Sequence, residues 1–178
     1  ISESLTDFAR ARTQTMEAVL IRPLLDEAWS LVRMEARDLH IEFLNHATDA
    51  DVVIGNTGRL LQVFVNLFKN GVYAIKDRLA SGHTNGTSGK LCVHTCRVLQ
   101  EGKQWLQLTI EDNGAGIPPD VLPRIFEPFV TSRLDANGTG LGLAVSAGII
   151  DQHGGLIVAS NRSAQGGAKF EITLPMPT

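Results

Sequence analysis

Apolar positions along the chain follow two rhythms, and the switches between them mark out its elements. Behind Pro23, the residues Leu24, Leu25, Ala28, Leu31 and Val32 recur at a spacing near 3.6. They share one face of a helix that Pro23 is suited to open, and the pattern carries that helix to about Arg37. A longer helical stripe joins Leu60, Leu61, Phe64, Val65, Leu67, Phe68, Val72 and Ile75 over residues 57 to 77, with Asn56 or Thr57 placed to cap it. A third helix is expected over 141 to 152, ended by His153-Gly154-Gly155, where glycine supplies the left-handed closing residue. Between the helices the rhythm drops toward two, predicting strands over 16–21, 40–46, 52–54, 91–99, 105–112, 156–159 and 168–174. Gln100-Glu101-Gly102-Lys103 reads as a hairpin turn, and Pro175 stops the last strand. Residues 81 to 89 are all Ser, Gly, His, Thr or Asn and predict a mobile loop. Helices interspersed with hairpins predict an α/β two-layer sandwich, its sheet mixed but largely antiparallel and its helices on one face.

Composition narrows the picture. The length of 178 residues suits one domain, and 43% hydrophobic with 20% charged residues is ordinary for a soluble globular chain. A formal charge of −3 gives no basic footprint for DNA or RNA, so nucleic acid is not an expected partner. The longest apolar runs fall far short of the roughly 20 residues a spanning helix needs. Starting at Ile1, the chain reads as a soluble fragment of a longer protein whose remainder could be membrane-anchored. Cys92 and Cys96 lie four apart in a predicted strand. Their Cα atoms would be about 13 Å apart, too far for a disulfide or a shared zinc ion, so both read as packing thiols in a reducing cytoplasm.

Three separated pieces carry chemistry. Asn66, Lys69, Asn70 and Tyr73 are spaced i, i+3, i+4, i+7 and form one polar stripe on the long apolar helix. A solvated stripe is the ordinary explanation. Asparagine is a poor helix former, however, and its amide oxygen is a hard ligand suited to Mg²⁺ already held by phosphates. Asp112 ends a strand of alternating Leu106, Leu108 and Ile110 and runs into Gly114 and Gly116. A carboxylate there can accept a hydrogen bond from the amino group of adenine, although Asp-Asn-Gly alone would also make a plain turn. Gly138, Gly140 and Gly142 lead into a helix N-terminus, an arrangement that exposes N–H groups to phosphate. A Rossmann loop would need a βαβ unit with an acidic residue about 20 positions further on, and the stretch before these glycines is irregular.

In this order the pieces resemble the boxes of the bacterial sensor histidine kinases. Asn66-Leu-Phe-Lys-Asn70 is similar to the N box, Asp112-Asn-Gly-Ala-Gly116 to the G1 box, Phe126-Glu-Pro-Phe129 to the F box and Gly138-Thr-Gly-Leu-Gly142-Leu to the G2 box. The resemblance implies the Bergerat ATP-binding fold over 16–178. It makes 1–15 the remnant of a dimerisation and phosphoacceptor hairpin with its linker. By the same resemblance Asn70 ligates Mg²⁺, with Asn66 and Lys69 near the phosphates of ATP and Tyr73 standing where many members carry Lys or Arg. Asp112 selects adenine, with Gly114, Gly116 and Ile117 around the base. Residues 130 to 139 form a short lid anchored by Phe126 and Phe129. Thr131, Ser132 and Arg133 contact nucleotide from it, Arg133 as the mobile charge on the γ-phosphate, and the sequence here is similar to nitrogen- and dicarboxylate-type sensor kinases. Gly138, Thr139, Gly140, Leu141, Gly142 and Leu143 hold the phosphates. Asn66, Asn70 and Arg133 are the implied catalytic residues.

The related gyrase-, MutL- and HSP90-like ATPases carry a glutamate four residues before the Mg²⁺-binding asparagine. Here that place is Asn66, and an amide is no general base. Phosphoryl transfer rests mainly on positioning and charge neutralisation, so transfer remains open to this pocket. None of His40, His46, His83, His94 or His153 sits in a phosphoacceptor pattern, and structural or surface roles are expected for them. The implied partners are the missing hairpin and a response regulator receiver domain, within a homodimeric protein whose catalytic part is cytoplasmic and whose parent could be anchored in the inner membrane. Competing readings are a water-activating ATPase, an anti-sigma-type serine kinase and a nucleotide-sensing module without transfer.

Overall fold

A computed structural model of the chain describes residues 15–82, 88–131, 140–163 and 166–178. The hairpin remnant expected before residue 16 lies outside them except for Thr15, as do positions 83–87 of the loop expected at 81 to 89.

Strand β1 (Glu17–Leu20) runs without a break into helix α1 (Ile21–Val32), so Pro23 is the third helical residue and not the first. The helix also stops five residues short of Arg37. Arg33 N–H still bonds Trp29 O at 2.8 Å, but Glu35 then bonds Val32 O at 2.9 Å and Ala36 bonds Arg33 O at 3.1 Å. This tightening to i→i+3 bonds follows the end of the apolar stripe, because Met34 projects into solvent while Ala36 returns to the core. Strands β2 (Ile41–Asn45) and β3 (Val52–Gly55) lead to helix α2 (Thr57–Ala80), which is three residues longer than expected. Asn56 caps it, its side-chain oxygen accepting Arg59 N–H at 3.0 Å. Strands β4 (Gly89–Gln100) and β5 (Lys103–Asp112) form the predicted hairpin. Its two turn residues, Glu101 and Gly102, both have positive φ (51° and 74°), the handedness that matches the twist of the flanking strands. A 3₁₀ turn at Leu122–Arg124, helix α3 (Gly142–Gln152) and strands β6 (Leu156–Asn161) and β7 (Ala168–Pro175) complete the described elements.

Five strands make one sheet in the order β2-β4-β5-β7-β6, in which only the β2–β4 pair is parallel. The expected mixed, largely antiparallel sheet is therefore present. Alternation alone did not show that β1 and β3 pair with each other as a separate two-stranded sheet. The helices cover one face of the large sheet. Phe64, Leu67 and Phe68 of α2 and Ile150 of α3 are buried against Leu91, Leu106, Leu108, Ile172 and Leu174 from the strands. Truncating a side chain such as Phe68 would cost about 3–5 kcal/mol.

The opposite face is wet, as antiparallel sheets permit. That corrects the expectation for the two cysteines. Leu91 and Val93 take the inward positions of β4, which leaves Cys92 half-buried and Cys96 exposed on the outer face. Neither thiol packs in the core.

Two buried polar groups tie the layers together. His153, at the end of α3, accepts Asn56 N–H on Nε2 at 3.0 Å, and its Nδ1 meets Ile149 O at 2.7 Å. A backbone N–H only donates and a carbonyl only accepts, so Nδ1 carries the proton. The α3 terminus is thereby fastened to the start of α2. Asp51, just before β3, accepts Thr48 N–H at 2.7 Å and the Thr95 hydroxyl at 2.6 Å. Burial alone would push its carboxyl up. The bonds from Thr95 and Thr48, with the Arg97 charge, outweigh burial and hold it below the ordinary carboxylate value.

Candidate nucleotide site

A cavity opens between α2 and the start of α3, over the ends of β5 and β7. It is lined by Asn66, Lys69, Asn70, Tyr73, Ala74, Asp112, Gly116, Ile117, Ile125, Val130, Thr131, Gly140, Gly142, Leu143, Ala168 and Phe170. Ten of these come from the three sequence pieces, which the fold brings to one place although residues 66 and 143 are far apart in the chain, and Thr131 was expected there as well.

Asp112 lies at the end of β5 and is only 4% exposed. Its Oδ1 accepts Gly114 N–H at 2.8 Å and Ala168 N–H at 3.3 Å. These two bonds orient the carboxylate as a fixed acceptor at the cavity's inner end. Gly114 does not line the cavity. A Cβ there would lie 2.5 Å from the Ala74 carbonyl carbon, so glycine lets the loop rest directly on α2, where Ala115 N–H reaches Ala74 O at 3.0 Å. Gly116 and Ile117 follow on the lining. Asn161, at the end of β6, holds them by donating to Ile117 O at 2.7 Å and accepting Ile117 N–H at 2.8 Å.

The stripe on α2 lines the same cavity, with the Asp112 side chain close to the helix at Gly71. Asn66 donates through Nδ2 to Gly142 O and to Ser146 Oγ, both at 3.2 Å, and so joins α2 to the first turn of α3. Lys69 Nζ lies 3.2 Å from Glu35 Oε1, and Tyr73 Oη is 3.3 Å from Glu35 Oε2. Both residues thus share one carboxylate from the turn after α1, at the rim of the cavity. Asn70 lies between them on the lining.

On the far side, Phe129 N–H bonds Gly140 O at 2.9 Å. Phe129 has φ 64° and is 75% exposed, an uncommon backbone state for an aromatic residue. Gly140, at φ 69°, lies so close that a Cβ would meet the Phe129 backbone at 2.7 Å. Phe129 itself and Leu141, the residue preceding α3, are not on the lining. Phe126 is half-buried and stands edge-on to Phe170, ring centroids 6.4 Å apart. Ser132, Arg133, Gly138 and Thr139 lie outside the described residues, with most of the expected lid.

Sequence reasoning missed Ala74, Ile125, Val130, Ala168 and Phe170, the apolar part of the wall. Ala74, Ala168 and Phe170 are on elements that were recognised, but an apolar residue facing a cavity has the same pattern as one facing the core; Ile125 follows a 3₁₀ turn that was not expected, and Val130 was expected only as the first residue of the lid. Asn161 was missed because its partner is 44 positions away, and an Asn ending a strand reads as the start of a turn.

Both the fold and the cavity's place in it are those of an ATPase-type α/β sandwich. Residues 55–178 match the family described as histidine kinase-, DNA gyrase B-, and HSP90-like ATPase, and the chain belongs to that family. ATP is accordingly the ligand class that membership implies. Among individual relatives, the chain is 33% identical over 178 residues to the sensor histidine kinase ZraS of Salmonella typhi, covering 99% of this chain and 35% of that protein. It is 36% identical over 126 residues to the sensory histidine kinase/phosphatase NtrB of Rhizobium meliloti (strain 1021), covering 69% of this chain and 32% of the relative. The chain thus spans about a third of the length of these curated relatives. Among solved structures it is similar to a mycobacterial sensor histidine kinase, MprB, with TM-score 0.72 and 27% identity over 92% of this chain and all of that one. Full-length ShkA in complex with AMPPNP matches with TM-score 0.72 and 25% identity over 92% of this chain and 32% of that one. Among the described residues no helix is long and apolar enough to cross a membrane.

Proposed function

We propose that this chain is the ATP-binding catalytic domain of a sensor histidine kinase, which transfers the γ-phosphoryl group of ATP to a histidine on a dimerisation hairpin for onward passage to a response regulator. One observation carries the reading. The helix that faces the buried Asp112 presents amides and a lysine toward the cavity, and at the place of a hydrolytic carboxylate it has Asn66, whose side chain is bonded to Gly142 and Ser146.

In this reading Asp112 accepts a hydrogen bond from the adenine amino group, its orientation fixed by Gly114 and Ala168. Gly116 and Ile117 flank the base, and Phe170 with Ile125 supplies apolar contact. Lys69 leaves Glu35 for the phosphates. An ion pair between two side chains that are each 41% exposed holds it only weakly. Gly140, Gly142 and Leu143 offer the start of α3 to the phosphates, and Thr131 with Arg133 belongs to the lid. The donor set fits Mg²⁺, because Asn70 brings a hard amide oxygen to a cavity where nucleotide phosphates supply the remaining charge. When bound, the ion would neutralise that charge. Asn66 contributes no base, so the nucleophile must be a group brought in from outside the pocket. The parent protein is expected to be dimeric, with this domain on the cytoplasmic side.

The test has two stages. ATP is titrated calorimetrically with and without Mg²⁺, using the native chain and Asp112→Asn. The domain is then supplied with an acceptor hairpin carrying the phosphorylatable histidine, and acid-labile label on that hairpin is measured. Mg²⁺-dependent binding, weakened by Asp112→Asn and followed by histidine labelling, supports the proposal. Acid-stable phosphoserine on a supplied protein would instead identify a serine kinase. Binding with no transfer would leave a sensing module, and steady phosphate release without an acceptor would mean an ATPase.

A further inference from the structure

The outer face of the sheet holds a second constellation that the nucleotide pocket does not use. We infer that His46, Cys92 and His94 form a binding site for Zn²⁺. Strand register brings them together. β2 and β4 run parallel with Leu44 beside Cys92 and Asn45 beside Val93, and His46 N–H bonds Val93 O at 2.9 Å just past the end of β2. Cys92 and His94 are two apart on β4 and therefore share its outer face, alternating with the buried Leu91 and Val93. His46 comes to lie against His94, the two rings parallel to within 6° and their centroids 4.8 Å apart.

The distances suit a metal ion. Cys92 Sγ is 3.1 Å from His94 Nε2, and one donor atom from each of the three residues falls within 4.8 Å of the others. Tetrahedral zinc, with bonds of about 2.3 Å to sulfur and 2.0–2.1 Å to nitrogen, separates its donors by roughly 3.3–3.6 Å, within reach of small rotamer changes here. Two imidazoles and a thiolate select zinc or copper over Mg²⁺ or Ca²⁺, so the site would not compete for the ion carried by ATP. Three protein donors leave the fourth position to water. The backbones of β2 and β4 are fixed by ladder hydrogen bonds, so binding orders little besides three side chains. Cys96, the other thiol, lies two pleats further along β4 and takes no part. The site lies across the sheet from the cavity. Leu91 is register partner to Asp112, while its neighbour Cys92 pairs with Glu111 on the outer side.

The test uses the reduced, chelator-treated chain. Co²⁺ is added as a spectroscopic stand-in and then displaced by Zn²⁺ in competition with a chromophoric chelator. One equivalent of Co²⁺ should give a thiolate-to-cobalt charge-transfer band that Zn²⁺ abolishes. Cys92→Ser should remove the band, His46→Ala and His94→Ala should each weaken Zn²⁺ by about tenfold or more, and Cys96→Ser should change neither. ATP binding by each variant, on the other face, reports that the domain is still folded. Should Cys92→Ser fail that check, the two histidine variants decide. No band in the native chain, a band lost in Cys96→Ser, or Zn²⁺ affinity unmoved by both histidine substitutions would overturn the inference. Failure of ATP binding with the cobalt band intact would count against the proposed function and leave the zinc site standing.

Discussion

Asn161 closes both sides of its amide on the backbone of Ile117, donating at 2.7 Å and accepting at 2.8 Å. One side chain at the end of β6 thus sets the path of the glycine loop that follows Asp112. Asn161→Ala removes both bonds from an exposed site, where each contributes about 0.5–1 kcal/mol. ATP affinity should fall about tenfold, and the melting temperature by a few degrees. Calorimetry alongside thermal denaturation separates the two effects, and an equal loss of both would show that the clamp serves stability alone.

Gly114→Ala places a methyl group against the Ala74 backbone and Ile75 N–H, neither of which can yield without moving α2 or the loop. Overpacking of this kind costs about 1–3 kcal/mol. A lower melting temperature is expected together with weaker ATP binding. Retention of both would mean that the loop rises from the helix without penalty.

Gly140→Ala acts on the opposite wall. The backbone there is in the left-handed region and touches Phe129. Substitution should break the Phe129–Gly140 hydrogen bond and reduce affinity for ATP more than stability, because the contact joins the two sides of the cavity mouth at Val130–Thr131 and Gly140. Hydrogen exchange at the Phe129 amide measures this directly, and unchanged protection would disprove the coupling.

Glu35→Gln removes the charge that holds Lys69, while its amide oxygen can still accept from the Tyr73 hydroxyl. A half-exposed ion pair contributes at most about 1 kcal/mol, so the gain in Mg-ATP affinity should be no more than about fivefold, and it should disappear in high salt. A loss of affinity would show that Glu35 positions Lys69 productively.

Asp51 links stability to pH. Its carboxyl titrates below the ordinary value in the folded chain, so its contribution is present above the unfolded pKa of about 4 and is lost as pH falls through the lower folded pKa. Asp51→Asn should therefore lower the melting temperature at neutral pH, and the difference from the native chain should shrink below about pH 4. A difference independent of pH would assign the effect to packing.

Much of the site was legible because its polar residues contradict their surroundings. Two asparagines on a helix rich in Leu, Val and Phe, and an aspartate where an alternating strand ends, have no role in forming those elements. The apolar wall of Phe170 and Ala168 was illegible for the opposite reason, since it obeys the same alternation as the core. Strand positions were readable, whereas pairing was not. Nothing in Glu17–Leu20 or Val52–Gly55 announces that they leave the main sheet to pair with one another. The outward turn of Cys92 and Cys96 needed the knowledge that one face of the sheet is uncovered. Helix ends were set by tertiary packing, as the early stop of α1 at Val32 shows.

Asn66 donates through its amide nitrogen to Gly142 O and Ser146 Oγ, which are themselves hydrogen-bonded to each other. A nucleotide held beside such a residue meets an amide, which draws no proton from water, where a carboxylate would serve as a base. Under the proposed function, bound ATP should therefore be lost to water only slowly, and the tempo of transfer would follow how often an acceptor is presented.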